Sequence, residues 1–261
     1  MTDKRFYYLC GLPRAGNPLF SSIMNQNPDI FSSGNSIVCD IMYKVNELRY
    51  TEVFELFKDN DALHDVLKNI TSNYYSNHNE KYIIDRSLWG LRYNLNMLKS
   101  IHDDLKIIVL VRDPKEILAS LVKFSYTNNN NYISDNADTV KDRIRFIYNG
   151  ELVRWMNAVN NLINPENEKH VHLIEYNDLV NNTQDEISKV YKFLNIESFE
   201  HHYTDLKQLE NNGTPYDDSG IGDGLHTILT DGIRKRDYDM NDYLPKDLSE
   251  YDLRPFWRND I

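Results

Sequence analysis

Two arginines in this 261-residue chain stand where a backbone could present them to an anion. Arg14 lies in Gly11-Leu12-Pro13-Arg14-Ala15-Gly16, between the apolar run FYYLC and a helical pattern that opens near Pro18. Glycines let a backbone approach phosphate closely, and the N–H groups of such a loop and of the helical turn after it point at the anion. A guanidinium adds two parallel hydrogen bonds to phosphate or sulfate oxygens. Pro18 suits the first helical turn, where a missing N–H breaks no internal bond. The predicted cradle is Gly11, Leu12, Pro13, Arg14, Ala15, Gly16, Asn17 and Pro18. It lacks the Lys-Ser/Thr pair that ends the nucleotide-triphosphatase loop. The second arginine, Arg112, ends the run KIIVLV in KIIVLVRDPKEILASLVKF. Asp113 and Pro114 then start a helix that carries Ser120 about two turns in. Ligands of open α/β sheets sit at the carboxyl edge of such strands.

Those positions require strands that alternate with helices. Apolar strands are predicted over Arg5–Cys10, Lys81–Ile84, Lys106–Val111 and His170–Tyr176. Helical patterns fall over Pro18–Asn27, Ile37–Leu48, Asp61–Tyr75, Leu91–Ile101, Pro114–Phe124, Asp138–Ile163 and Gln184–Leu194. Continuous apolar runs without polar alternation suit strands covered on both faces. The strand–helix order predicts an α/β fold, a doubly wound parallel sheet flanked by helices. One domain is expected, 1–261. Thr127–Asp138 is a loop of turn-forming composition. After about Phe199 periodicity fades and glycines recur at 213, 220, 222, 224 and 232, so 200–261 is expected to be an irregular lid segment packed on the domain.

Charge narrows the partners. The net charge of −11 argues against general binding to nucleic acid or an anionic membrane. From Glu200 to Ile261 there are 14 acidic and 7 basic residues, a net of −7. No apolar stretch nears the roughly 18 residues of a spanning helix. Cys10 and Cys39 cannot build a disulfide framework, and a cytoplasmic location is the expectation.

Together the two arginine segments resemble the sulfotransferases that use 3′-phosphoadenosine-5′-phosphosulfate (PAPS). GLPRAGNPLFSSIMNQNPDI is similar to that family's 5′-phosphosulfate loop, and VRDPKEILAS to its 3′-phosphate element. YIIDRSLWG resembles the strand that ends in Asp-Lys-Ser/Asn. LIEYNDLVNNTQDEISKVYKFLNI resembles the Tyr-Glu-Asp-Leu strand with its following helix. The likeness runs through about Asp205, is nearest to the tyrosylprotein and bacterial branches, and is looser over GLHTILTDGIRKRDY.

The resemblance implies a P-loop-like fold and in-line sulfuryl transfer from PAPS to a hydroxyl or amine acceptor that the sequence does not identify. It implies that Arg14 stabilises charge on the leaving phosphate. Arg112 and Ser120 would hold the 3′-phosphate, and Arg86 would stand near the transferred group, where a lysine is common. Tyr176 would lie beside the adenosine, and Arg234, Lys235 and Arg236 would form a closing clamp. No metal is implied, because arginines supply the positive charge.

The chain departs from the pattern at Ala15-Gly16-Asn17-Pro18, where the family has Ser-Gly-Thr-Thr. Three hydroxyls and one N–H are lost, and Asn17 is expected to restore one donor. The tyrosylprotein branch places a glutamate about where Gly34-Asn35-Ser36 stands. The nearest carboxylate is Asp40, taken as the catalytic candidate, with Asp85 and His226 as further candidate bases. Two alternatives stay open: a catalytically impaired relative that binds a nucleotide or partner, and a small-molecule P-loop kinase.

Overall fold

The structure, a computed structural model, describes residues 4–127, 131–208, 216–220, 222, 224–235 and 238–258. Its centre is a five-stranded, wholly parallel sheet: β1 (Arg5–Gly11), β2 (Ile30–Ser32), β3 (Tyr82–Arg86), β4 (Ile107–Val111) and β5 (Val171–Glu175), in the order β2-β3-β1-β4-β5. Every residue of β4 is buried, as is β1 from Tyr7 onward. That is why both strands read as unbroken apolar runs.

The helices are α1 (Asn17–Met24), α2 (Val38–Glu47), α3 (Glu52–Leu56), α4 (Asn60–Tyr74), α5 (Arg92–Ile101), α6 (Pro114–Thr127), α7 (Val140–Ile147), α8 (Val153–Leu162), α9 (Tyr176–Asn181) and α10 (Thr183–Leu194). The spacing of Leu95, Leu98 and Ile101 in α5 puts three buried side chains on one face. Burial of each such residue is worth roughly 1.5–3 kcal/mol. The connection after β1 leads to one edge of the sheet, at β2, and the connection after β4 leads to the other, at β5. Neighbouring strands whose connections diverge leave a crevice at their carboxyl ends. Arg14 and Arg112 both emerge there.

Three features differ from the sequence-based expectation. β2 was not anticipated, since Ile30-Phe31-Ser32 is too short to show a period and becomes a strand only by pairing with Tyr82–Ile84. The helix expected over 138–163 is two helices joined by a π-helical turn, Tyr148–Leu152. Tyr176, expected at a strand end, is the first residue of α9. Beyond Asn195 the described chain is irregular apart from one 3₁₀ turn, Met240–Asp242. It is tied down by backbone and amide bonds such as Leu206 N–H to the Thr230 carbonyl, 3.1 Å, and the Gln208 amide to the His226 carbonyl, 2.8 Å. No helix among the described residues is long and apolar enough to cross a membrane.

Candidate active site

A cavity of about 490 Å³ opens over the carboxyl ends of β1, β3 and β4. That falls within the roughly 300–1,000 Å³ usual for ligand sites. Four arginines line it, Arg14, Arg86, Arg112 and Arg234, so this acidic protein concentrates cations at one place.

The phosphate-type loop is built by close backbone approach. Gly16 takes φ +86° and caps α1, and no side chain caps that helix. Its first-turn N–H groups therefore stay available, except at Pro18, which has none. A β-carbon on Gly16 would sit 3.2 Å from the Tyr176 ring. A β-carbon on Gly11 would sit 1.9 Å from Asn17 Oδ1 and 3.0 Å from Leu110. Asn17 is buried and donates its amide to the Leu12 carbonyl at 2.8 Å. It therefore braces the loop from inside, which corrects the expectation of a replacement donor to an anion. Gly11, Leu12 and Ala15 lie behind the cavity surface, and Pro13, Arg14, Gly16, Asn17 and Pro18 contribute to its lining. Gly11→Ala should thus destabilise the protein by about 1–3 kcal/mol through overpacking. Urea denaturation checks this, and a transition midpoint at the wild-type value would contradict it.

Arg14, Arg112 and Ser120 come together as the spacing suggested. Arg14 Nε donates to Ser120 Oγ at 3.1 Å, and Arg112 Nη1 donates to the Arg14 carbonyl at 3.0 Å. Arg112 also lies over the Tyr176 ring, 4.3 Å from its centre, and pairs with Glu116 Oε2 at 3.0 Å. Glu116, one turn along α6, was not singled out from sequence. Burial alone would push its carboxyl up, but hydrogen bonds from Lys235 and Arg112 hold it below the usual range. Lys235 reaches Glu116 at 2.7 Å, and Tyr238 donates to the Glu116 carbonyl at 3.1 Å. The C-terminal segment is thereby fastened to the start of α6. Of the expected clamp, Arg234 lines the cavity and pairs with Asp231 on the surface. Lys235 is not part of the lining, and Arg236 lies outside the described residues.

Arg86 ends β3 on the other side of β1. Its Nη1 donates to the Gly34 carbonyl at 2.9 Å, and the guanidinium lies 5.4 Å from the centre of the Trp155 ring. Its Nε is buried without a partner. Asp40 is not brought to these arginines: it is exposed in the first turn of α2 and absent from the cavity lining. The helix that starts at Val38 carries it away from the loop. Asp85 is fully buried and accepts from Tyr75 at 2.5 Å and Trp89 at 2.8 Å, a core contact that leaves it out of the lining.

His226 does line the cavity. Asp218 Oδ1 holds its Nδ1 at 2.8 Å, and Asp218 Oδ2 accepts the His226 backbone N–H at 2.6 Å. A carboxylate can only accept, so Nδ1 carries the proton and Nε2 keeps the lone pair. Burial, with the fields of Arg86 and Arg14, lowers the imidazole below its ordinary 6.5, although Asp218 pulls it upward. His226 thus favours the neutral imidazole, in a cavity that Arg86 and Arg14 also line. Asp218, Tyr132, Glu151 and Trp155 were missed from sequence. Their only signal was the four-residue spacing of Glu151 and Trp155, which puts both on one helical face.

A wholly parallel doubly wound sheet, with a glycine-bounded loop after β1 and cations at the crevice, defines a P-loop-like α/β protein. Residues 8–201 match the model of the sulfotransferase family, and the chain belongs to that family. Among solved structures, the chain is similar to the sulfotransferase domain from the Synechococcus PCC 7002 olefin synthase. They are 15% identical, with a TM-score of 0.52 over 77% of this chain and 76% of that one. It is also similar to the sulfotransferase domain from the curacin biosynthetic pathway, at 20% identity and a TM-score of 0.51 over 76% and 75% of the chains. No curated protein matches the sequence.

Proposed function

We propose that this chain is a single-domain PAPS-dependent sulfotransferase in which Arg14 assists the leaving phosphate and His226 takes the acceptor's proton. The observation that carries the reading is the convergence of Arg14, Arg86 and the Asp218–His226 pair on one cavity. The residues fit the co-substrate. An uncapped helix N-terminus and Arg14 suit a 5′-phosphosulfate. Arg112 and Ser120 suit a 3′-phosphate, and Tyr176, whose ring carries the Arg112 guanidinium, lines the same cavity where a base would lie beside it.

When bound, PAPS supplies an activated sulfuryl group, whose S–O bond to phosphate breaks as one to the acceptor oxygen or nitrogen forms. His226 Nε2 receives the acceptor's proton, while Asp218 fixes the tautomer and steadies the imidazolium. Arg14 lies in the loop that faces the departing oxygen and offsets its growing charge. Arg86 lines the cavity and brings its positive charge to the side of the transferred group. The arginines do the work that Mg²⁺ does in kinases.

Thermal shift with 3′-phosphoadenosine-5′-phosphate (PAP), ADP and ATP tests the reading. PAP at about 100 times its Kd should raise Tm by about 5–10 °C, ADP should do much less, and Arg112→Ala should remove most of the PAP shift. Equal shifts from PAP and ADP would sink the 3′-phosphate assignment. A PAP shift without turnover over a broad acceptor panel would favour a binding protein over an enzyme.

A further inference from the structure

Five large apolar side chains stand in water within one short stretch, between α2 and α4. Leu48 is 52% exposed, Tyr50 70%, Val53 69%, Leu56 77% and Phe57 78%. None of them lines the cavity, so the nucleotide site does not account for them. A single exposed apolar residue is ordinary. Two aromatic and three aliphatic side chains together leave on the order of several hundred Å² of apolar surface, a size that marks an interaction site.

The stretch is regular structure. A 3₁₀ turn, Leu48–Tyr50, leads into α3, and the Thr51 hydroxyl caps that helix by accepting the Phe54 N–H at 3.3 Å. Phe54 turns inward and packs against the core. Val53, Leu56 and Phe57 are three and four residues apart and share the side turned away from it. The Phe57 N–H still reaches the Val53 carbonyl, at 3.1 Å, so the helical turn holds to the end of the strip. The core thus takes one of four apolar residues and leaves three on a fixed outer face.

The charge around this strip selects its occupant. Residues 47–61 carry five acids, Glu47, Glu52, Glu55, Asp59 and Asp61, against two bases, Arg49 and Lys58. Lys58 is already paired with Glu55 at 3.3 Å. An anionic bilayer would set its headgroups against these carboxylates. A second copy docked about a two-fold axis would set the same acids against each other. A helix with an apolar stripe flanked by lysine or arginine meets both demands, stripe on strip and cations on the acidic rim.

We propose that the face formed by Leu48, Tyr50, Val53, Leu56 and Phe57 is a docking site for a basic amphipathic helix of another protein. This surface is independent of the reaction assigned to the cavity, and its test needs no turnover.

Fluorescence anisotropy with two labelled helical peptides of about 18 residues provides that test. One is built of leucine and lysine, the other of leucine and glutamate, with the same apolar stripe. The lysine peptide should bind wild type about tenfold or more tighter than the glutamate peptide. Leu56→Ser with Phe57→Ser should weaken the lysine peptide about tenfold, and Glu52→Lys with Glu55→Lys should bring the two peptides within about threefold of each other. Asp185→Lys with Glu197→Lys makes the same change in net charge near the ends of α10, which packs on β5, and should leave the wild-type preference in place. All six replaced side chains are exposed, so the variants should fold, which circular dichroism verifies; Phe57→Ser alone replaces the first pair if it does not. Equal binding of both peptides to wild type, or a preference that survives in both variants of the face, overturns the proposal. Wild-type self-association in sedimentation that Leu56→Ser with Phe57→Ser abolishes would give the face to a second copy instead. Binding to phosphatidylserine-containing vesicles, lost in the same variant, would give it to a membrane.

Discussion

Replacing Arg14 by alanine should lower kcat by about 10²-fold or more, in line with loss of one preorganised charge-stabilising donor. The interaction strengthens as charge moves to the leaving oxygen, so its loss appears in kcat rather than only in KM. The structure makes the measurement less simple than a single deletion. Arg14 has φ +58°, a strain of about 1–2 kcal/mol that arginine and alanine share through Cβ, and its carbonyl is held by Arg112. Arg14→Gly serves as the companion variant, because it removes the guanidinium and the strain together and so separates the two. Both variants should lose kcat alike if the guanidinium is what matters. Arg112→Ala should chiefly raise KM for PAPS, with a smaller loss in kcat because the Arg14 backbone is released. Slow PAPS hydrolysis is a usable readout before an acceptor is known. A change in KM alone for Arg14→Ala would make it a binding residue and end the catalytic assignment.

Replacing His226 by glutamine should cost about 10²- to 10⁴-fold in kcat/KM, the usual worth of a positioned base. The pH profile discriminates this role from a structural one. The base works when neutral. Burial and the guanidiniums of Arg86 and Arg14 depress its pKa below 6.5, so the neutral form persists into acid. In wild type kcat/KM should therefore stay level above pH 6.5 and fall only below it, as the imidazole protonates. The glutamine variant should lack that acid limb. Asp218→Asn should lose a comparable factor with the imidazole still present, because an amide can donate to Nδ1 and move the proton to Nε2. An acid limb that persists unchanged in His226→Gln would falsify the assignment.

Much of this protein was legible before any coordinates. The strands of the centre, FYYLC and KIIVLV, are apolar without alternation because both faces are covered, and that single cause marks them as parallel-sheet strands. Arg14 and Arg112 were legible as a pair because each follows such a strand directly. Local chain order then fixes them at the sheet's carboxyl edge. Ser120 followed from helical spacing after Pro114.

The rest depended on contacts between segments far apart in the chain. β2 exists only through its pairing with β3, and Asp40 was misplaced because the turn into α2 carries it outward. The inward-facing amide of Asn17 depends on how closely Gly11 and Leu110 pack, which no local pattern reports. Glu116 became a tether only when Lys235 and Tyr238 came back to it from more than a hundred residues away. Glu151 and Asp218 are single acids in an acidic chain, without periodicity to mark them. A π-helical turn and an irregular C-terminal segment bring them to the site. Residue types and spacing along one strand–turn–helix unit thus determined where Arg14 stands. The pairing of His226 with Asp218 and the place of Glu151 in the cavity lining were decided by long-range packing, since the field at a side chain depends on all its neighbours in space.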